Sequence, residues 1–262
     1  MPFNILANRD RIKKTPFLDM SNGKHTVRIL GEPVDYFVHY YRNKGSFACL
    51  GSDCPVCKTN KQIKFENPKS YSTVPGYNSP SHRHYCNVLD KTVVKVCPSC
   101  GYEVVADLAG IYPATCHKCN AFITDVTPAP SNKIKVANIN ETNATEIMSY
   151  NTSILDESKN PIGYNNFDII FIVTGTEKKN VSALPDPTSV GQVEYNEEDL
   201  NNLDNVVIKL TEEEIVALVT TGVSFKDIFA ARKAPVQETE VKATMTPEEV
   251  AKLEASINDL LA

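Results

Sequence analysis

Eight cysteines stand in the 262-residue chain, and their spacing carries more chemical meaning than their number. Cys97, Cys100, Cys116 and Cys119 form CPSC, fifteen residues, then CHKC. Two CxxC turns at this separation can each present two thiolates to one tetrahedral ion. Gly101 after the first pair and Asn120 after the second supply permissive backbone for such knuckles, and Tyr102 to Val105 reads as a ribbon strand. The spacing therefore predicts a zinc ribbon over residues 96–126. A redox pair would need a single CxxC at a strand-to-helix junction, and disulfides suit a secreted chain better than this one.

Cys49, Cys54 and Cys57, in FACLGSDCPVCK, form a second thiolate cluster one ligand short of a tetrahedral set. His39, separated from Cys49 by nine residues and lying in VDYFVHYY, is the favoured fourth ligand. His82, His84 and Cys86, in SHRHYCNV, are the rivals. A lone strand histidine is ordinarily a packed or exposed residue, and only the three nearby cysteines make His39 notable. Without a ligand role, Cys86 reads as a small buried residue. Two zinc ions are thus expected, both structural. A catalytic zinc would need an open position and a base, for which Asp53 and Glu66 are the nearest acids. HExxH, the zinc-deaminase pattern, GxSxG, GxGxxG and the GxxxxGKS phosphate loop are all absent. The expectation is a non-enzyme.

Charge divides the chain. Residues 1–95 carry 15 Lys/Arg against 7 Asp/Glu, and residues 192–262 carry 6 against 15, within a net charge of -5. A basic front and an acidic back fit a polyanion-binding body with a tail that can shield the same surface, although two independent solvated faces would look alike. No apolar run reaches the roughly 18 residues a membrane span needs. The start, MPFNILANRDRIKK, does not read as a secretory signal, so a cytoplasmic location is expected.

Alternation and turn residues predict the elements that hold these groups. HTVRIL and VDYFVHYY read as two strands separated by Gly31-Glu32-Pro33, and HRHYCNVL with KTVVKV as a hairpin around Leu89-Asp90-Lys91. IKVAN at 134–138 is a strand, residues 141–149 a short helix or turn, and FDIIFIVTG at 167–175 a strand partnered by KNVSAL. Short strands with a compact insert point to a small barrel or sandwich. Thr211 to Glu214 (TEEE) and Thr246 to Glu249 (TPEE) are capping boxes that start helices. Residues 234–244 read as a linker, and Val250, Leu253, Ile257, Leu260 and Leu261 share one face of the last helix.

The basic front is interleaved with rings. Arg28, Tyr36, Tyr40, Arg42, Lys44, Lys58, Lys61, Lys64, Arg83, Tyr85 and Lys91 are the candidate contacts to unpaired DNA. Cations track phosphates, and exposed rings stack on bases without regard to sequence. Alternation puts Tyr36 and Tyr40 on one strand face, a stacking platform, and Phe37, His39 and Tyr41 on the other. About half of such aromatics would be ordinary core.

The order VRILGEP, an aromatic strand with His39, CLGSDCPVC, a basic segment, HYCNVLD and PIGYNNFDIIFIVTGT resembles the single-stranded DNA-binding proteins of tailed bacteriophages over about residues 22–185. The resemblance implies an OB-like small β-barrel, with His39, Cys49, Cys54 and Cys57 matching the family's metal motif and Arg28 its strand arginine. The ribbon departs from that pattern as an insertion. The expected organisation is a basic arm (1–21), an OB-like core (22–190) holding the ribbon (96–126), an acidic segment with short helices (191–233), and a linker with an amphipathic helix (234–262). The resemblance further implies coating of single-stranded DNA in replication, recombination or repair, with the tail recruiting replication partners. Arg9, Arg11, Lys13 and Lys14 stand where that family places a segment for contact with neighbouring protomers. A transcription or polymerase-associated factor using the ribbon, and a zinc-dependent nucleic-acid-processing enzyme, are the alternatives.

Overall fold

A computed structural model describes residues 15–41, 44–156, 158–175 and 179–233. The expected basic arm residues Arg9 to Lys14, Arg42, the linker and the last helix lie outside them. The structure is built mainly from antiparallel sheet. Its spine is β1 (Gly23–Tyr41), one 19-residue strand where the sequence predicts two. Gly31, at φ +65°, lets the strand bend without ending, and the register to its neighbour shifts between Leu30 and Val34. An L side chain would strain that backbone, so glycine here converts a predicted turn into a bulge.

The main sheet runs β7 (Lys133–Asn140), β3 (Ser81–Asp90), β1, β8 (Asp168–Thr174), β9 (Asn180–Asp186), with β2 (Gly45–Ala48) on the far half of β1. The β8–β9 pair matches the sequence expectation. The hairpin around Asp90 does not form: β3 pairs with β1 and β7, while β4 (Val93–Val96) leaves for a second sheet with β5 (Glu103–Val105) and β6 (Ala129–Pro130).

The expected closed barrel is also corrected. Among the described residues β7 and β9 remain separate edges. The β7 edge is taken instead by residues 16–18: Leu18 N–H donates to the Val136 carbonyl and Val136 N–H to that of Pro16, both at 2.8 Å. These two bonds occupy the middle of the β7 edge at Val136, where a closing strand would have to pair.

Each sheet face has its own cover. Helix α2 (Glu141–Ser153), capped by Asn140, sets Ile147 against Val27, Val88, Ile169 and Phe171. On the opposite face Leu203, Val206 and Val207 pack on Val38, Tyr85 and Val136. A third cluster gathers Phe47 and Val56 with Ile215, Leu218 and Ile228 of α3 (Glu212–Thr220) and α4 (Phe225–Lys233). Helix α1 (Pro55–Glu66), with Pro55 at its first position, falls where sequence alone reads only a basic segment. No helix among the described residues is long and apolar enough to cross a membrane.

Candidate metal centres and the surface around them

His39, Cys49, Cys54 and Cys57 converge from three elements and are positioned to hold a metal ion. His39 comes from β1, Cys49 follows β2, and Cys54 and Cys57 lie at the cap and first turn of α1. Nε2 of His39 lies 3.4 Å from Cys54 Sγ and 3.5 Å from Cys57 Sγ, and Cys49 Sγ is 3.5 Å from Cys57 Sγ. With bonds of about 2.3 Å to sulfur and 2.0–2.1 Å to nitrogen, a tetrahedral site has sulfur–sulfur edges of about 3.8 Å and sulfur–nitrogen edges of about 3.5 Å. Burial, followed by the neighbouring Cys49 thiol, pushes the Cys57 thiol up to about 12. A cation among the three sulfurs would be needed to hold them all as thiolates at neutral pH.

The histidine is oriented by a residue that spacing arguments miss. His39 Nδ1 donates to the Asn78 carbonyl at 3.1 Å, which leaves the Nε2 lone pair for the ion. Asn78 in turn donates its backbone N–H to Asn60 Oδ1 (2.9 Å) and its side-chain amide to the Tyr40 carbonyl (2.7 Å), and Asn60 donates back to the Asn78 carbonyl (2.7 Å). One asparagine thus joins the metal ligand, β1, α1 and the segment after α1. The Phe47 ring lies 5.6 Å from His39 and 6.0 Å from Tyr41, fully buried, and seals the centre from the other side.

Cys97, Cys100, Cys116 and Cys119 form the second group positioned for a metal. Cys97 and Cys119 Sγ are 3.5 Å apart, Cys100 and Cys116 Sγ 3.7 Å. The two knuckles repeat one geometry. Gly101 N–H donates to the Cys97 carbonyl (2.9 Å) and Asn120 N–H to that of Cys116 (2.7 Å), with φ +68° and +60° at the two turn residues. These are the conformations expected of Gly101 and Asn120. Val104 and Ile123 complete a small private core. The eighth cysteine, Cys86, is buried in the main core, where burial pushes its thiol up to about 12.

The ribbon is seated on the main sheet by charge. Lys135, almost fully buried on β7, reaches Asp90 Oδ2 at 2.7 Å and also pairs with Glu103 of β5, which Lys133 meets at 2.7 Å. Gly23, at φ +140°, lies so close to the ribbon that a Cβ there would come within 2.5 Å of the Ala106 carbonyl oxygen.

The candidate DNA contacts separate into buried and exposed sets. Arg28 is corrected: it is 1% exposed, its Nε donates to Asp168 Oδ1 at 2.6 Å, and its other nitrogens serve the Ser189 and Gly191 carbonyls. Lys91 joins the same carboxylate at 2.9 Å, so both cations hold β1, β3 and β8 together. Tyr85, 4% exposed, is core. Tyr36 is half-buried, with Lys209 over its ring (5.3 Å) and its hydroxyl 3.5 Å from Asp204, so the expected Tyr36–Tyr40 platform is split. The cover over Tyr36 is the acidic segment, which lies on this face through Leu203 and Val206. Arg83, half-buried, is Tyr36's cross-strand partner, and Lys44 Nζ donates to the Leu218 carbonyl.

The open surface is elsewhere. Tyr40 is 64% and Phe37 52% exposed on β1. On α1, Lys58, Lys61 and Lys64 are exposed three residues apart; Lys58 meets Glu212 at 2.9 Å, and Lys64 lies over the rings of Tyr71 (5.0 Å) and Tyr77 (5.7 Å). His82 and His84, rivals of His39, stand apart from it with Glu141.

No protein-family model matches this chain, and comparison with curated proteins likewise finds no match.

Proposed function

We propose that the protein binds single-stranded DNA without sequence preference, as the helix-destabilising proteins of tailed bacteriophages do, and acts by coating rather than by chemistry. The observation that carries this is the reach of the first metal centre. Its ligand His39 sits on the strand bearing exposed Phe37 and Tyr40, its ligand Cys57 on the helix bearing Lys58, Lys61 and Lys64, and Asn78 ties in the segment with Tyr71 and Tyr77. One ion therefore holds rings that can stack on bases and cations that can follow phosphates. Zinc suits both centres, since tetrahedral sets of four thiolates, or of three thiolates and an imidazole, favour a borderline-soft ion without redox demands. The chain's outer segments, 1–14 and 234–262, would serve contacts with neighbouring protomers and with replication proteins.

A poly-dT oligonucleotide titrated against the full chain at two salt concentrations, with a matched duplex as control, tests this. Strand-selective binding that weakens steeply with salt is expected. Equal or tighter duplex binding overturns it. A second reading, a transcription or polymerase-associated factor, is favoured by the exposed apolar side chains on the ribbon, Phe122 at 77%, Ile111 at 65% and Leu108 at 54%. Loss of partner binding, with single-strand affinity intact, on changing Phe122→Ser would support it.

A further inference from the structure

Outside the two cysteine centres, a third group of metal-capable side chains converges at the junction of β1, β3 and α2. His82 and His84 project from the same face of β3, and Glu141 is the first residue of α2. Glu141 Oε2 is 2.9 Å from His84 Nε2 and also contacts His82 Nδ1, and the three donor atoms lie within 4.8 Å of one another. The histidine rings are 4.5 Å apart with planes 51° from parallel, and both reach the same carboxylate.

Asp35 of β1 acts independently on the far side of His82, accepting from its Nε2 at 2.9 Å. A carboxylate on the remote nitrogen is the arrangement that fixes tautomer and ring direction in metal-bound histidines. With Nε2 engaged by Asp35, Nδ1 is the nitrogen that faces Glu141 and His84, where an ion would take the place of the proton shared with the carboxylate.

We infer that His82 Nδ1, His84 Nε2 and the Glu141 carboxylate form a third metal site, oriented by Asp35, for a divalent transition ion such as zinc or cobalt. Two imidazoles and one carboxylate suit such ions better than calcium or magnesium, which prefer all-oxygen sets. Three protein donors leave a tetrahedral ion one open position for water or an anionic oxygen. The site is more open than the cysteine centres: each of those has two buried ligands, whereas here none of the three is buried, with side-chain exposures of 26% for His82, 23% for His84 and 58% for Glu141.

Its surroundings give the site consequences. His84 and Glu141 also line an apolar cavity of about 220 Å³ with Ile139, Ala144, Met148 and Tyr164. The half-exposed Phe37 ring lies flat on His82, centroids 4.5 Å apart and planes 7° from parallel. An ion on His82 would therefore steady one of the rings offered to DNA, although the site itself does not depend on the DNA-binding reading.

The full chain with zinc in its cysteine centres, stripped of labile metal by a weak chelator, is titrated with cobalt. Calorimetry and visible absorption are recorded together. The expected result is one further equivalent, with ligand-field bands but no thiolate-to-cobalt charge transfer. It should be lost in both His84→Gln and Glu141→Gln, and weakened about 10- to 100-fold in Asp35→Asn. Each variant is first checked for two retained zinc ions and an unshifted unfolding midpoint, and the two losses are independent of each other. Failure of the native chain to take a further equivalent overturns the inference. So does an equivalent that persists in both glutamine variants, which is adventitious surface binding. The count is made without DNA, so its failure leaves the proposed function standing.

Discussion

The two cysteine-rich centres use similar donors in opposite structural settings. Around Cys97, Cys100, Cys116 and Cys119 the chain is local: two tight knuckles, one small sheet and a private core of Val104 and Ile123. Around His39, Cys49, Cys54 and Cys57 it is not. The ligands there arrive from a long strand, the end of its neighbour and a helix, and the centre shares its apolar cluster with α3 and α4, more than 150 residues further along the chain. A metal in the ribbon organises the ribbon, whereas a metal at His39 organises much of the molecule's exposed basic and aromatic surface. Metal binding at either centre would be coupled to folding, but only at His39 would that coupling reach the proposed DNA contacts.

The largest effect should come from breaking the first centre. Cys54→Ser is expected to release one ion and cost more than about 4 kcal/mol in chemical denaturation, with single-strand affinity falling in parallel. Cys116→Ser should release the other ion, yet hydrogen exchange should accelerate mainly within residues 97–126. If Cys116→Ser unfolded the whole chain as readily as Cys54→Ser, the contrast between local and distributed centres would be lost.

Next is the ion network that replaced a predicted DNA contact. Asp168→Asn leaves Arg28 buried without its carboxylate and should cost about 3–5 kcal/mol, read from denaturant midpoints. Its effect on DNA affinity at a temperature where the protein stays folded should be small. A fall in affinity with stability unchanged would return Arg28 to the binding surface.

Tyr40→Ala probes the surface that the first centre is proposed to organise. It should weaken poly-dT binding by about 1–3 kcal/mol, as expected for one stacked base, and leave the melting temperature in place. Tyr36→Ala, under the acidic segment, should affect stability more than binding.

The smallest expected effects concern seating and caps. Burial alone would raise the Glu103 carboxyl, but Lys133 and Lys135 outweigh it and hold it below the ordinary 4.5. A depressed carboxylate contributes stability above its unfolded value and loses it as pH falls through the folded one. The ribbon's seat should therefore loosen only in acid below that ordinary value, seen as faster exchange at Glu103 to Val105 before the main sheet responds. Thr211→Ala removes one half of the α3 capping box and should cost about 1 kcal/mol.

Much of this was legible in residue order because it is local. The ribbon knuckles follow from CxxC spacing and the left-handed tolerance of Gly101 and Asn120. The capping box at Thr211 and Glu214 forms with both of its hydrogen bonds, 3.3 and 2.8 Å, and the β8–β9 pair follows from alternation and proximity. His39 was reachable because three cysteines lacked a fourth ligand and a strand could deliver one.

Other features depend on what lies across space. Arg28 and Asp168 are 140 residues apart, so local pattern cannot reveal that the arginine is buried against a carboxylate. Tyr85 and Tyr36 look alike until residues 203–207 cover one and only partly cover the other. The meeting of residues 16–18 with Val136 on the β7 edge joins distant parts of the chain, and the His82–His84–Glu141 cluster arises because α2 begins beside β3. Residue order alone set the donor types, the turns and the strand periodicity, since these depend on neighbours within a few positions. The assembled fold selected which cations face solvent and which rings remain open, because burial is a property of the surface that arrives from elsewhere in the chain.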